Sequence, residues 1–192
     1  KGEFALASDL EMRMYKAITM LQFKLEGQII CANPDFAMDA HLLLDKIDYT
    51  NKTITIEGIT YPLKDCDFPT ISPEAPYEFT KEEKELVYML RKAFMNSEKL
   101  QKHTKLFFTK GAMYRVCNNN LLFHGCVPLN EDGTFTHISV GGDALYGRAL
   151  FDRLEKQARA AFYAPEGSKE KEKGGDILWY LWNGPKSPIY GR

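Results

Sequence analysis

Four prolines crowd into one short stretch, at Pro62, Pro69, Pro73 and Pro76. Each locks its own φ, lacks an amide donor and pushes the preceding residue out of the helical region. Neither a helix nor a central strand can run through residues 62 to 76. The stretch predicts an extended connector, with regular elements built on either side of it.

Ahead of the connector, Ser8 or Asp9 can cap a helix from about Leu10 to Gly27. Leu10, Met14, Ala17, Ile18, Leu21 and Leu25 fall on one face at helical spacing. Met12, Met20 and Phe23 lie off that stripe, which predicts a helix buried between other elements. Residues 42 to 63 read as an antiparallel meander. Ile54 and Ile56 alternate with Thr53 and Thr55, and Thr50-Asn51-Lys52 and Glu57-Gly58 supply turns.

Beyond the connector, Thr80 and Glu83 form a capping box that predicts a helix to about Met95. Ser97 caps another, ending near Gly111. Residues 112 to 117 and 121 to 124 read as strands joined by Asn118-Asn119-Asn120, since Asn accepts the left-handed backbone of a tight hairpin. Leu150, Phe151, Leu154, Ala158, Ala161 and Phe162 mark a helix over about 146 to 163. Gly167 to Gly175 is charged and flanked by glycine, which predicts a mobile loop. After it, Asp176 can cap a short helix carrying Trp179 and Trp182 on one face. The fold class is α+β, or a piece of a layered α/β protein, with helices and short antiparallel hairpins. Residues 1 to 111 and 112 to 192 are expected to be its two parts.

The chain is 44% hydrophobic, enough to bury a core. Its 25 basic and 26 acidic residues leave a net charge of -1, so there is no overall basic field for nucleic acid or an anionic membrane. No apolar run approaches the roughly 20 residues of a membrane span, and no signal peptide opens the chain. Cys31, Cys66, Cys117 and Cys126 form no C-x-x-C pair. They read as reduced core thiols of a cytosolic protein rather than as a zinc site or disulfides. No initiator Met is present and a helical pattern begins almost at once, so the chain is expected to be a piece of a longer protein.

Two segments could carry chemistry. Leu121-Leu122-Phe123 predicts a strand buried on both faces, and His124 follows at its end with Gly125 beside it. A neutral imidazole there can ligate a divalent metal, and the small neighbour leaves room for it. The bland alternative is a histidine that ends a strand and hydrogen-bonds a carbonyl, and the bare residues favour it. A metal site also needs about three protein ligands, and no second histidine stands at ligand spacing. His41, His103 and His137 read as surface or packing residues. The second segment, Asp176 to Arg192, sets aromatics beside Gly, Pro and a final Arg. It reads either as a ligand wall or as a packed helix followed by a turn.

At these segments the sequence resembles the class III fructose-1,6-bisphosphatases of Firmicutes and related bacteria. Gln22 to Gln28, Leu43 to Tyr49, Tyr61 to Asp65, Ser97 to Gln101, Leu121 to Gly133 and Trp179 to Trp182 carry the likeness, in order over nearly the whole chain. The resemblance implies a calcineurin-type metallophosphatase fold, of which this chain would be a fragment. It also implies two metals, manganese by preference, assembled from five separated motifs. Leu122-Phe123-His124-Gly125-Cys126 fits the motif of a lone strand-end histidine, with Cys126 where many relatives carry a second Gly. On that basis His124 becomes a metal ligand and Arg192 a substrate-phosphate contact. The other four motifs are absent from the chain. The implied reaction is hydrolysis of fructose 1,6-bisphosphate by a metal-activated water, in a cytoplasmic homo-oligomer whose partner is the sugar bisphosphate alone. Residues 9 to 111 would be an insertion or cap. The rival readings are a metallophosphatase acting on phosphoproteins or nucleotides, and a non-enzymatic regulatory or assembly module.

Overall fold

A computed structural model describes residues 8 to 140 and 142 to 190. The chain divides into two compact units, Lys1–Lys92 and Ala93–Arg192. The division falls ahead of the helix that ends near Gly111, not after it.

The first unit opens with helix α1 (Asp9–Ala32). Its start is a full capping box: the Ser8 hydroxyl accepts from the Glu11 amide, and the Glu11 carboxylate accepts from the Ser8 amide at 2.7 Å. The helix runs five residues beyond Gly27, and the expected apolar stripe is not its buried face. Leu21, Lys24, Gly27 and Ile30 are buried, whereas Leu10, Met14, Ile18 and Leu25 are exposed. Hydropathy misplaces the face because two of its four members are a lysine and a glycine. Gly27 is buried because the Tyr77 ring lies where a Cβ would be, 2.0 Å from it. Lys24 is buried because its ammonium donates to the Thr70 carbonyl at 2.5 Å and to Glu83 at 2.7 Å.

Both partners come from the proline-rich stretch and the helix after it. That stretch holds no helix, but it is a run of tight turns rather than the extended connector expected: the Ile71 amide donates to the Phe68 carbonyl, Ala75 to Ser72 and Glu78 to Ala75, and it meets α1 through Thr70 and Tyr77. Strands β1 (Ile47–Asp48), β2 (Thr53–Ile56) and β3 (Ile59–Pro62) form the meander, antiparallel in the order β1-β2-β3. Glu57 and Gly58 turn at φ 50° and 79°, the backbone a two-residue hairpin needs. Residues 44 to 46, read as strand in the sequence, make a short 3-10 turn that buries Leu44. Helix α2 (Lys81–Met95) begins at the Thr80–Glu83 capping box. Leu21, Ile30, Met38, Leu44 and Ile71 are buried apolar residues of this unit.

The second unit contains α3 (Glu98–Lys110), the β4 (Tyr114–Cys117) and β5 (Asn120–Phe123) hairpin, the β6 (Ile138–Val140) and β7 (Asp143–Leu145) hairpin, and helices α4 (Gly147–Tyr163) and α5 (Lys169–Asn183). The core gathers Ile138, Val140, Leu150, Leu154, Ala158 and Leu181, with Phe108 and Met113 packed against it. Phe108 is why α3 belongs here: its ring stacks on Phe162 at 4.3 Å. The Arg159 guanidinium also donates to the Phe108 and Gly111 carbonyls, satisfying the end of α3.

Two expectations fail in this unit. The loop expected over 167 to 175 is helical from Lys169, and the helix begins there rather than at Asp176. The Ser168 hydroxyl caps it by accepting from the Lys171 amide, and the Lys171 ammonium donates to the Phe162 carbonyl. Gly174 sits against Ala161 of α4, where an added Cβ would meet the Ala161 Cβ at 1.9 Å. Alternating Lys and Glu are also good helix formers, a signal masked by their linker-like charge. The four cysteines are free but not core thiols: Cys31 and Cys117 are exposed, and Cys66 and Cys126 partly so. No helix of the described residues is long and apolar enough to cross a membrane.

Candidate functional site

The β4–β5 hairpin pairs Tyr114 with Phe123, Arg115 with Leu122, Val116 with Leu121 and Cys117 with Asn120. Asn118 and Asn119, at φ 49° and 60°, form its two-residue turn. At the open end, Tyr114 and Phe123 face each other across the strands, and both set an edge against the buried Phe151 of α4, at 6.0 and 6.4 Å. The Tyr114 hydroxyl donates to Asp152 at 2.9 Å, and this hydrogen bond holds the phenol above its ordinary titration range. The hairpin is therefore fixed to α4 at its base. Farther out, Leu121 and Leu122 are exposed, so β5 is not the doubly buried strand expected from its apolar run. No described residue covers the outer part of the hairpin, and that is why both faces are bare.

His124 follows β5 directly and is exposed. Its neighbours are held on both sides. Phe123 rests on Phe151, and the Cys126 amide donates to the Pro188 carbonyl at 2.9 Å. Gly125 makes this possible: it turns at φ +82°, and a Cβ there would lie 2.5 Å from the Pro188 oxygen. The segment it meets is rigid in turn. Ser187 is 1% exposed; its hydroxyl donates to the Leu181 carbonyl at 2.6 Å and accepts from the Ile189 amide. Pro188 beside it is fully buried. The lone histidine thus projects from a turn clamped between α4 and the end of α5.

This clamp was not foreseen from the sequence. Gly184-Pro185-Lys186-Ser187-Pro188 signals a turn, but nothing local says that the turn receives the residues after His124. Arg192, the second candidate, lies outside the described residues. His41 and His103 are exposed, and His137 packs edge-on against Tyr146 at 4.6 Å, in line with surface and packing roles.

Among the described residues, no three His, Cys, Asp or Glu groups converge on a point that could hold a metal. His124 fits a metal as one neutral donor on a rigid turn, so the remaining donors of any such site come from elsewhere. An open groove of about 650 Å³ lies between β4 and α4, apart from His124 and lined by Tyr114, Arg115, Arg148, Asp152, Glu155 and Arg159. Its carboxylates are already engaged: Asp152 by Tyr114 and Arg148, Glu155 by the Met113 amide and Arg159.

A strand-end histidine held by a glycine turn is found in many folds, so identity rests on comparison. The family model described as Firmicute fructose-1,6-bisphosphatase matches residues 5–192. The chain belongs to that family. A fructose-1,6-bisphosphatase class 3 of Clostridium novyi (strain NT) is 50% identical over 184 residues, covering 96% of this chain and 28% of the relative. Its counterpart in Bacteroides fragilis (strain YCH46) is 46% identical over 180 residues, covering 94% and 27%. The chain therefore spans little more than a quarter of the length of the curated relatives it matches. No solved structure matches it.

Proposed function

We propose that the chain is the part of a fructose-1,6-bisphosphatase that supplies one metal ligand, His124, to a site completed by residues outside it. The observation that carries this reading is the clamped turn. Phe123 and Cys126 are fixed on either side of an exposed imidazole, in a chain whose relatives bear that enzyme's name. Fixing both neighbours holds the backbone at residue 124 and with it the point from which the imidazole reaches outward. That is what a ligand on a scaffold must provide. Gly125 is what lets the Pro188 carbonyl approach this closely, since the place of its missing Cβ is taken by that oxygen.

The group implied at this site is a pair of divalent metals, manganese by resemblance. When bound, it polarises a phosphoryl oxygen and yields a nucleophilic water near neutral pH. The role of His124 is to orient and hold, without exchanging a proton. Arg192 is proposed to contact the substrate phosphate, for which a guanidinium is suited by charge and fork geometry. The substrate is fructose 1,6-bisphosphate, and the setting a cytoplasmic homo-oligomer. Residues 9 to 111 act as an insertion or cap to the metallophosphatase domain.

The test is His124→Ala in the full-length enzyme. The metal would contribute several kcal/mol of transition-state charge stabilisation that is lost when its ligand is removed, and each ~1.4 kcal/mol is tenfold in rate, so turnover should fall by about a thousandfold or more. Bound manganese should fall with it and the melting temperature should change little. Wild-type turnover and full metal content in a less stable variant would make His124 a structural residue and overturn the assignment.

A further inference from the structure

The first half of α1 presents an apolar ridge left exposed among the described residues. Leu10, Met14 and Ile18 stand at i, i+4 and i+8, the spacing of a helix ridge that packs into the groove of another helix. They are 67%, 62% and 48% exposed, with Tyr15 exposed beside them. The opposite side of the same turns is already in use. Lys16 pairs with Asp65 at 2.5 Å and lies over the Phe68 ring, and Thr19 bonds back to the Tyr15 carbonyl. The charges around the ridge are also consumed within the unit. Asp9 pairs with Arg13 at 2.6 Å, and Glu11 is tied into the capping box. What remains is an uncharged aliphatic and aromatic strip on a helix whose other half, from Leu21 to Ile30, is packed.

A strip of this kind is an interface in waiting, because contiguous exposed apolar surface on a folded protein marks a contact. Its character points to a permanent contact rather than a passing one. Reversible partners are steered and selected by charged and polar groups at the rim, and here those groups are paired internally. Most of the length of the related proteins lies outside the matched region, since the chain spans 28% of the Clostridium novyi relative. We infer that in the full-length protein this ridge docks onto a helix or sheet face supplied by the same polypeptide outside residues 1 to 192. Under that arrangement α1 is a strut joining the insertion to the rest of the enzyme. The inference does not depend on the metal site.

Methionine gives the helix an internal reporter. Met14 lies on the ridge, and Met12, 55% exposed, lies off it on the same two turns. Oxidative footprinting of the wild-type full-length protein should modify Met14 about tenfold or more slowly than Met12, since a covered thioether is shielded from oxidant. That protection should persist on dilution. A photo-cross-linker at position 14, in a mixture of isotopically light and heavy copies, should then join to residues outside 1 to 192 within one copy. Equal oxidation of Met12 and Met14 would overturn the inference. So would protection lost on dilution, or light-to-heavy cross-links, which would place a second copy on the ridge. Cross-links to any of residues 1 to 192 would overturn it as well, because the chain would then cover its own ridge. The wild-type footprint stands as a test even where the cross-linking variant fails to fold.

Discussion

Lys24 holds an ammonium group fully out of solvent, with the Thr70 carbonyl and the Glu83 carboxylate as its partners. Glu83 serves twice, since the same oxygen accepts from the Thr80 amide at the start of α2. Burial opposes ionisation of Glu83, but Lys24 and the Thr80 amide outweigh it, and the carboxyl titrates below its ordinary range. Removing one member of a buried pair strands the other, so Lys24→Met should destabilise the unit by about 3–5 kcal/mol. Pairing that change with Glu83→Gln, which still caps, should recover part of the loss. The pH dependence has a definite sign. A carboxyl with a depressed folded pKa contributes stability above its unfolded pKa of about 4.3, and loses it as pH falls through the lower folded value. Urea midpoints over an acid series should fall more steeply for wild type than for Glu83→Gln. Parallel curves would mean that the pair contributes nothing through ionisation.

At the scale of elements, α4 and α5 meet at a glycine. Gly174 allows the approach to Ala161, while Gly175, one residue on, has no atom within 4 Å of where a Cβ would stand. The two positions share a helix and differ only in surroundings. Gly174→Ala should cost about 1–3 kcal/mol through overpacking, whereas Gly175→Ala should gain about 0.5–1 kcal/mol from helix propensity. Thermal melts of the two variants should move in opposite directions. The same helix shows what a sequence can and cannot reveal. Caps at Ser8, Thr80 and Ser97 and the Asn118-Asn119 turn are local chemistry, decided by residues three or four apart, and all were readable. The start of α5 was missed although its cap at Ser168 is equally local, because the alternating Lys and Glu that follow read as a linker, and the contact of Gly174 with Ala161 of α4 is not contained in composition. The buried face of α1 was hidden by the same cause, since Lys24 and Gly27 are interior only because Glu83 and Tyr77 meet them. At the candidate site the strand-end position of His124 was legible, but the Ser187-Pro188 clamp was not.

For the molecule as a whole, the proposed metal role gives His124 as one donor where about three or more are needed. The 192-residue chain by itself should therefore show no turnover of fructose 1,6-bisphosphate with manganese. Chelator-sensitive hydrolysis reproduced across independent preparations would show that the chain's own residues complete a site. The clamp also bears on the order in which the molecule comes together. Cys126 and Ser187 are 61 residues apart, and joining them closes a loop at an entropic cost on the order of 4 kcal/mol. Helices α4 and α5 are joined only by residues 164 to 168, a closure that costs about 2 kcal/mol less, so this hairpin is expected to form first. Ser187 takes its position from the Leu181 carbonyl at the end of that hairpin. The turn bearing His124 is therefore expected to set after it, and a chain caught partway would hold its helices while its histidine still wandered.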